Sequence, residues 1–438
     1  MRIWIVAVFV ALLVPSLPVR GQSGSVRGKM EKPDVYDFGY PKTWTKKYRH
    51  SEATPRLILN PDFFCSQCAK EGRISYKTRE EMVDILEVDK TYPNPLEGKT
   101  KEHFGEFRML ERPGHLVLRR FMNDMKLKDP VFIEDPFFRI FVDLGSFHSK
   151  MPPYARREFE LSQLADIFPR VTSKTISITP HQRAHLYHFR AHRLLAEFQH
   201  LVGYDPKAPY MVYAPPFMGM RQKWEVYIFR KQKDASAFVE GFLGQKVNDG
   251  LCWHLLTERA MLTILHGERR RDVDVNNTFT HRLCYNFITG YRGYAYDLPA
   301  WLALGYAHLM ERRERTDFNT IIFGEGRIPK FRLPSKWKVG VKKAVLAKKA
   351  PPFQEFAAYE SVGRIPPKMH PQIWSLVSYL VQLDQKKMGR LINILKEKKK
   401  GESTRNLLRR ALAASYGLTL AQVDEGWREW VKTTYPSI

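Results

Sequence analysis

A chain of 438 residues is long enough for a large core and for two or three domains. Apolar residues at 44% and aromatics at 13% exclude a disordered protein. The excess of 71 Lys and Arg over 46 Asp and Glu gives a formal charge of +25. That field favours contact with cell-wall polymer, acidic polysaccharide, lipid headgroups or nucleic acid, or is simply a basic solvated surface. No specific nucleic-acid motif is present in the sequence.

Residues 1–21 read as a signal peptide. Arg2 gives a positive start, Ile3 to Val14 is an uninterrupted apolar run, and Pro15 and Pro18 break it. Val19-Arg20-Gly21 supplies a small residue for cleavage after Gly21. The expected address is secreted, periplasmic or cell-envelope. No later stretch reaches about 18 apolar residues, so no membrane span is expected once the signal is removed. Residues 22–55 are polar and basic without a sustained period, as in a linker or surface arm.

Residues 56–170 form a poorly defined N-terminal region. It opens on FFCSQCAKEGRI, with Cys65 and Cys68 in a Cys-x-x-Cys pair. The pair resembles one knuckle of a zinc ribbon, but the chain has no second knuckle. No His follows Cys68, which excludes covalent haem attachment. A structural disulfide, a half-site completed by another chain, a redox pair and inert thiols all remain open. With Cys252 and Cys284 the chain has four cysteines, an even count that suggests disulfides in an exported protein. Glu80 to Val88 reads as helix, and Leu116–Leu118 and Phe138–Val142 as strands. No chemistry-bearing group stands out up to Asp166.

Pro180 to Val202 is the clearest amphipathic helix. Thr179 can cap it, and Pro180 suits the first turn. His181, His185, His188 and His192 are spaced four, three and four, so all four imidazoles share one face. Such a face can chelate a metal, respond to pH or be an ordinary polar flank. No carboxylate lies on it. Trp224–Phe229 and Arg259–Leu265 read as strands, Asp234–Phe242 as helix and Gly244–Gly250 as loop. Helices follow at Thr280–Ile288 and Ala300–Arg313, around a turn at Tyr291–Pro299. The fold class is α+β.

At this point the chain resembles the peptidase-MA-like family, the gluzincin type of zinc metallopeptidase. In that family a helix carries His-Glu-x-x-His, and a Leu-Pro-x-Trp-x-x-Glu-Gly helix start brings the third ligand. Here His281-Arg282-Leu283-Cys284-Tyr285 stands for the first motif and Leu298-Pro299-Ala300-Trp301-Leu302-Ala303-Leu304-Gly305 for the second. Leu298 to Ala303 and Gly305 match the second motif, but of the ligands and the base only His281 is kept. Arg282 replaces the base, and Tyr285 and Leu304 replace two ligands. The resemblance covers about 170 to 435. It implies a small mixed sheet with active-site helices over 171–330 and a helical region over 331–438.

The resemblance implies a vestigial cleft at His281, Arg282, Tyr285 and Leu304, with no catalytic residue and no cofactor expected. Arg282 there would suit a carboxylate-bearing ligand. Zinc stays possible at a different ligand set, either His281, His308 and Glu311 or the four-histidine face. Cys252 and Cys284 are candidates for a disulfide tying the His281 helix to the preceding segment. The implied function is a pseudopeptidase that binds a peptide, a protein or an anionic envelope polymer, or a structural envelope protein attached through its basic surface. The alternative is a metal-dependent hydrolase with non-standard ligands.

Overall fold

The computed structural model describes residues 64–70, 130–148, 154–204, 217–255, 259–294, 298–322 and 336–436, with Met125, Leu127 and short gaps inside these ranges. The expected signal peptide, the expected 22–55 arm, and the helix and strand expected at Glu80–Val88 and Leu116–Leu118 lie outside the described residues.

In chain order the first elements are β1 (Phe64–Cys65), α1 (Ser66–Lys70), β2 (Val131–Glu134), β3 (Phe138–Val142), β4 (Phe147–His148), α2 (Tyr154–Ile167), β5 (Ser177–Ile178) and α3 (Pro180–Val202). There follow β6 (Trp224–Phe229), α4 (Gln232–Leu243), β7 (Leu251–Leu255), β8 (Ala260–His266), α5 (Asp272–Gly290) and α6 (Ala300–Glu314). The longer helices beyond are α7 (Trp337–Leu346), α8 (His370–Leu383), α9 (Gln385–Leu395), α10 (Thr404–Tyr416) and α11 (Leu420–Thr434). The class is α+β, as expected.

The main sheet has six strands in the order β1-β2-β3-β6-β8-β7. Its centre, β3-β6-β8, is parallel, and β1, β2 and β7 join antiparallel at the two sides. Parallel strands bury both faces, which is why WEVYIF at Trp224–Phe229 is apolar almost throughout. Side chains alternate between two cores. Ile140, Val226 and Leu265 face α3 and α5, whereas Phe141, Tyr227 and Ile264 join Phe238 and Val239 of α4. β3 pairs with β6, so the sheet runs across the division expected at residue 170. One apolar core likewise joins the α3–α5–α6 side of the sheet to the C-terminal helices, across the division expected at residue 330.

Helix α3 has the predicted bounds. Thr179 and Gln182 form a reciprocal capping box, Pro180 opens the first turn, and Gly203 ends the helix at φ +63°. Helix α5 begins at Asp272, eight residues before the expected start. Its first turns read DVDVNNTFT and look like loop, yet Asp272, Asn276, Asn277 and Thr278 are all buried. Asn277 donates to the carbonyls of Arg315 and Phe318, and Asp272 meets two arginines of α3. A helix buried all round has no polar stripe for periodicity to detect.

Candidate metal centres

The histidine face of α3 turns towards the β1–β2 side of the sheet, and two groups of ligands meet it there. Strand β1 pairs with β2 through Cys65 and Ile133, which sets the Cys-x-x-Cys segment against the first turns of α3. Cys65 Sγ lies 3.4 Å from His181 Nε2. Cys68 Sγ lies 3.2 Å from the same nitrogen and 3.4 Å from His185 Nε2. The Cys68 amide donates to Cys65 Sγ at 3.5 Å. All four side chains are buried, and the Phe168 ring stands edge-on to both imidazoles.

Burial would push the Cys65 thiol up, but Cys68, His185 and His181 together hold it well below its usual range. That favours the thiolate a metal requires. The other two cysteines behave in the opposite way. Burial pushes Cys252 up to about 12 and also raises Cys284, as expected for inert core thiols.

The second group lies one to two turns further along α3. Asp135, just after β2, directs Oδ2 at Nε2 of both His188 and His192. Its Oδ1 accepts from the Phe137 and Phe138 amides at 2.7 and 2.8 Å. Burial opposes ionisation of Asp135, yet His192 and His188 hold its carboxyl well below the usual range. Burial pushes His188 down to about 4, so the pair is an ionised carboxylate beside a neutral imidazole. His192 is the most open member, its side chain 15% exposed.

The third group sits where α5 and α6 cross. The rings of His281 and His308 are 4.6 Å apart. His308 Nδ1 is 3.1 Å from Glu311 Oε2, and His308 Nε2 is 2.9 Å from His370 Nδ1. Glu311 Oε1 accepts from the Thr320 amide at 2.6 Å. Burial raises the Glu311 carboxyl and lowers His308, so both favour their neutral forms and the contact is a hydrogen bond. Neither ring nitrogen of His281 has a hydrogen-bond partner among the described residues, although the side chain is fully buried.

Among the described residues these three groups could hold a metal ion, and within each the ligand atoms lie within 4.8 Å of one another. The sequence-derived candidates His181, His185, His188 and His192 therefore divide between two groups, while His281, His308 and Glu311 do come together. The missing carboxylate comes from Asp135, just after β2. The partner of the Cys-x-x-Cys pair is the same chain's α3, with Cys68 and His181 113 residues apart. Two cues were present in the sequence: Cys-x-x-Cys and His-x-x-x-His are the two halves of one ligand set, and Glu134-Asp135 ends an apolar run.

Two expectations are corrected. All four cysteines are free, so neither a Cys65–Cys68 nor a Cys252–Cys284 disulfide forms; Cys252 Sγ instead faces the Arg282 carbonyl at 3.6 Å. The four residues of the expected cleft do not line an open groove. His281, Arg282 and Leu304 are 0%, 1% and 0% exposed, and only Tyr285 is part-open. Arg282 donates to the Ile264 carbonyl on β8.

The fold and these groups define the class: an α+β protein with buried cysteine–histidine and histidine–carboxylate clusters. No family model, curated protein or solved structure matches the chain.

Proposed function

We propose that this is a secreted, non-hydrolytic protein of peptidase-MA-like design that binds an anionic envelope polymer through its C-terminal helices. The observation that carries the reading is the closure of the His281 region. A hydrolytic zinc needs an open coordination position and a base beside its water. Here Arg282 occupies the position of the base, and His281, His308 and Glu311 are sealed from solvent.

Charge supports the binding half of the proposal. Residues 336–436 contain 20 Lys and Arg against 8 Asp and Glu, so a quarter of the chain holds nearly half of its positive excess. Lys386, Lys387 and Arg390 on α9, Lys398 to Lys400 after it, and Arg405 and Arg409 on α10 are all exposed. Lys396 is the exception in its run. Its Nζ donates to the Thr289 carbonyl at 2.6 Å, at the C-terminal end of α5 where a cation is favoured, and burial pushes it down to about 7.

The test is retention on an acidic polysaccharide. Binding should weaken steeply between about 0.1 and 1 M salt, as the screening length shrinks from about 10 to about 3 Å. Replacing Lys398, Lys399 and Lys400 by Gln should weaken it roughly fivefold, while Arg282→Ala should not alter it. Binding that ignores salt, or that survives the triple replacement unchanged, would sink this reading.

One observation favours a metal-dependent hydrolase instead: the unpaired nitrogens of His281 beside His308 and Glu311. Peptide or ester hydrolysis that disappears in His281→Ala would establish that alternative.

A further inference from the structure

We propose that Cys65, Cys68, His181 and His185 form a structural zinc site that clamps residues 64–70 onto α3 and closes the β1–β2 edge of the sheet.

The geometry comes first. Zn–S bonds of about 2.3 Å and Zn–N bonds of about 2.0 Å at tetrahedral angles separate sulfur from nitrogen by about 3.5 Å. The three Sγ–Nε2 separations are 3.2, 3.4 and 3.4 Å. Nε2 of both histidines points at the sulfurs, so all four donors converge on one point.

Charge gives an independent argument. Two thiolates and two neutral imidazoles cancel a doubly charged cation, and a buried site is then left without net charge. The Asp135 and His281 groups each offer one carboxylate and would leave a positive centre in the core. The Cys68 amide aimed at Cys65 Sγ further stabilises a thiolate.

Closure assigns the role. Four protein ligands, each buried, leave no position for water, which is the mark of a structural site. The segment also needs such a clamp. A two-residue strand and a five-residue helix contribute little stability of their own. Beyond the backbone pairing of β1 with β2, the described ties include a 2.9 Å bond from the Phe132 amide to Ser66 Oγ. In an oxidising compartment a metal-free Cys-x-x-Cys pair would be open to oxidation; with the metal, both sulfurs are occupied.

The experiment uses the full chain. Purified protein should carry about one firmly held equivalent of zinc per molecule. Exchange for Co(II) should give the visible bands of a tetrahedral ion together with a thiolate-to-cobalt charge-transfer band in the near ultraviolet. Cys65 and Cys68 should resist a thiol reagent until a strong chelator is added. Cys68→Ser and His185→Ala should each lower the zinc content at least fivefold, by roughly the affinity a lost ligand removes. Should those variants fail to fold, the cobalt spectrum and thiol protection of the unaltered chain decide the matter.

His281→Ala should leave the sulfur–cobalt band in place. Loss of the band in that variant, its absence from the unaltered chain, or equal thiol reactivity with and without chelator would each overturn the proposal. None of these readouts involves hydrolysis or polysaccharide retention, so the site and the proposed function can fail separately.

Discussion

Asp272→Asn is expected to destabilise the protein by about 4 kcal/mol, because removing one member of a buried ion cluster strands the others. Asp272 opens α5 and receives bonds from two arginines of α3. Arg183 Nε donates to Oδ1 at 2.9 Å and Arg190 Nη1 to Oδ2 at 3.0 Å. Tyr187 adds its hydroxyl at 3.1 Å, and Arg190 also grips Glu160 with two bonds. These α3 residues lie opposite the histidine face, so the cluster fixes how that face is turned. Asparagine fills the same space but leaves Glu160 as the one carboxylate of the cluster to balance two buried guanidinium groups. A shift in the urea midpoint at unchanged slope reads the loss. A loss under about 1 kcal/mol would mean that the cluster behaves like an exposed pair.

The same residue sets an acid dependence. Burial alone would raise the Asp272 carboxyl, but Arg190 and Arg183 outweigh it and hold the group below its ordinary value. A depressed folded pKa gives stabilisation that is complete above the unfolded value, about 3.9, and is lost as pH falls through the folded one. The stability difference between the native protein and Asp272→Asn should therefore stay flat from neutral pH to about 5 and shrink below about 4.

Elements with a cap, an apolar stripe or a β-rich run were legible, and a buried stretch of polar residues was not. Helix α3 was readable to the residue because it has a capping box, a first-turn proline, a terminal glycine and one apolar stripe. Strands β3 and β6 stood out through their β-branched and aromatic runs. The start of α5 did not, because Asp272, Asn276 and Asn277 spend their polarity on partners inside the protein. The site shows the same contrast. The histidine spacing was visible along one helix, whereas its partners arrive from β1 and the end of β2, and no local pattern encodes that meeting. The four-histidine face lacks its own carboxylate, and Asp135, just after β2, supplies one. Arg282 was readable as a cation beside His281, but its burial against β8 depends on packing that spacing does not report.

The packing of α9 on α3 yields the other large effect. Gly389 lies inside α9, and a Cβ there would come 1.9 Å from the Leu201 carbonyl oxygen, a backbone atom near the end of α3. Asn393, one turn on, donates its side-chain amide to the Val202 carbonyl at 2.9 Å, so the two helices are held close over this stretch. Gly389→Ala must push them apart and is expected to cost about 3 kcal/mol, the upper part of the usual range for overpacking. Helix propensity alone predicts the opposite sign, a gain of up to about 1 kcal/mol. Gly340 isolates that term: it sits exposed in α7, and a Cβ added there would meet nothing within 4 Å. Gly340→Ala should therefore stabilise the protein by about 0.5–1 kcal/mol. Denaturant midpoints for the two variants should move in opposite directions. If both rise, α9 can slide along α3 without loss, and the basic helical region is not held to the histidine-bearing helix by this contact.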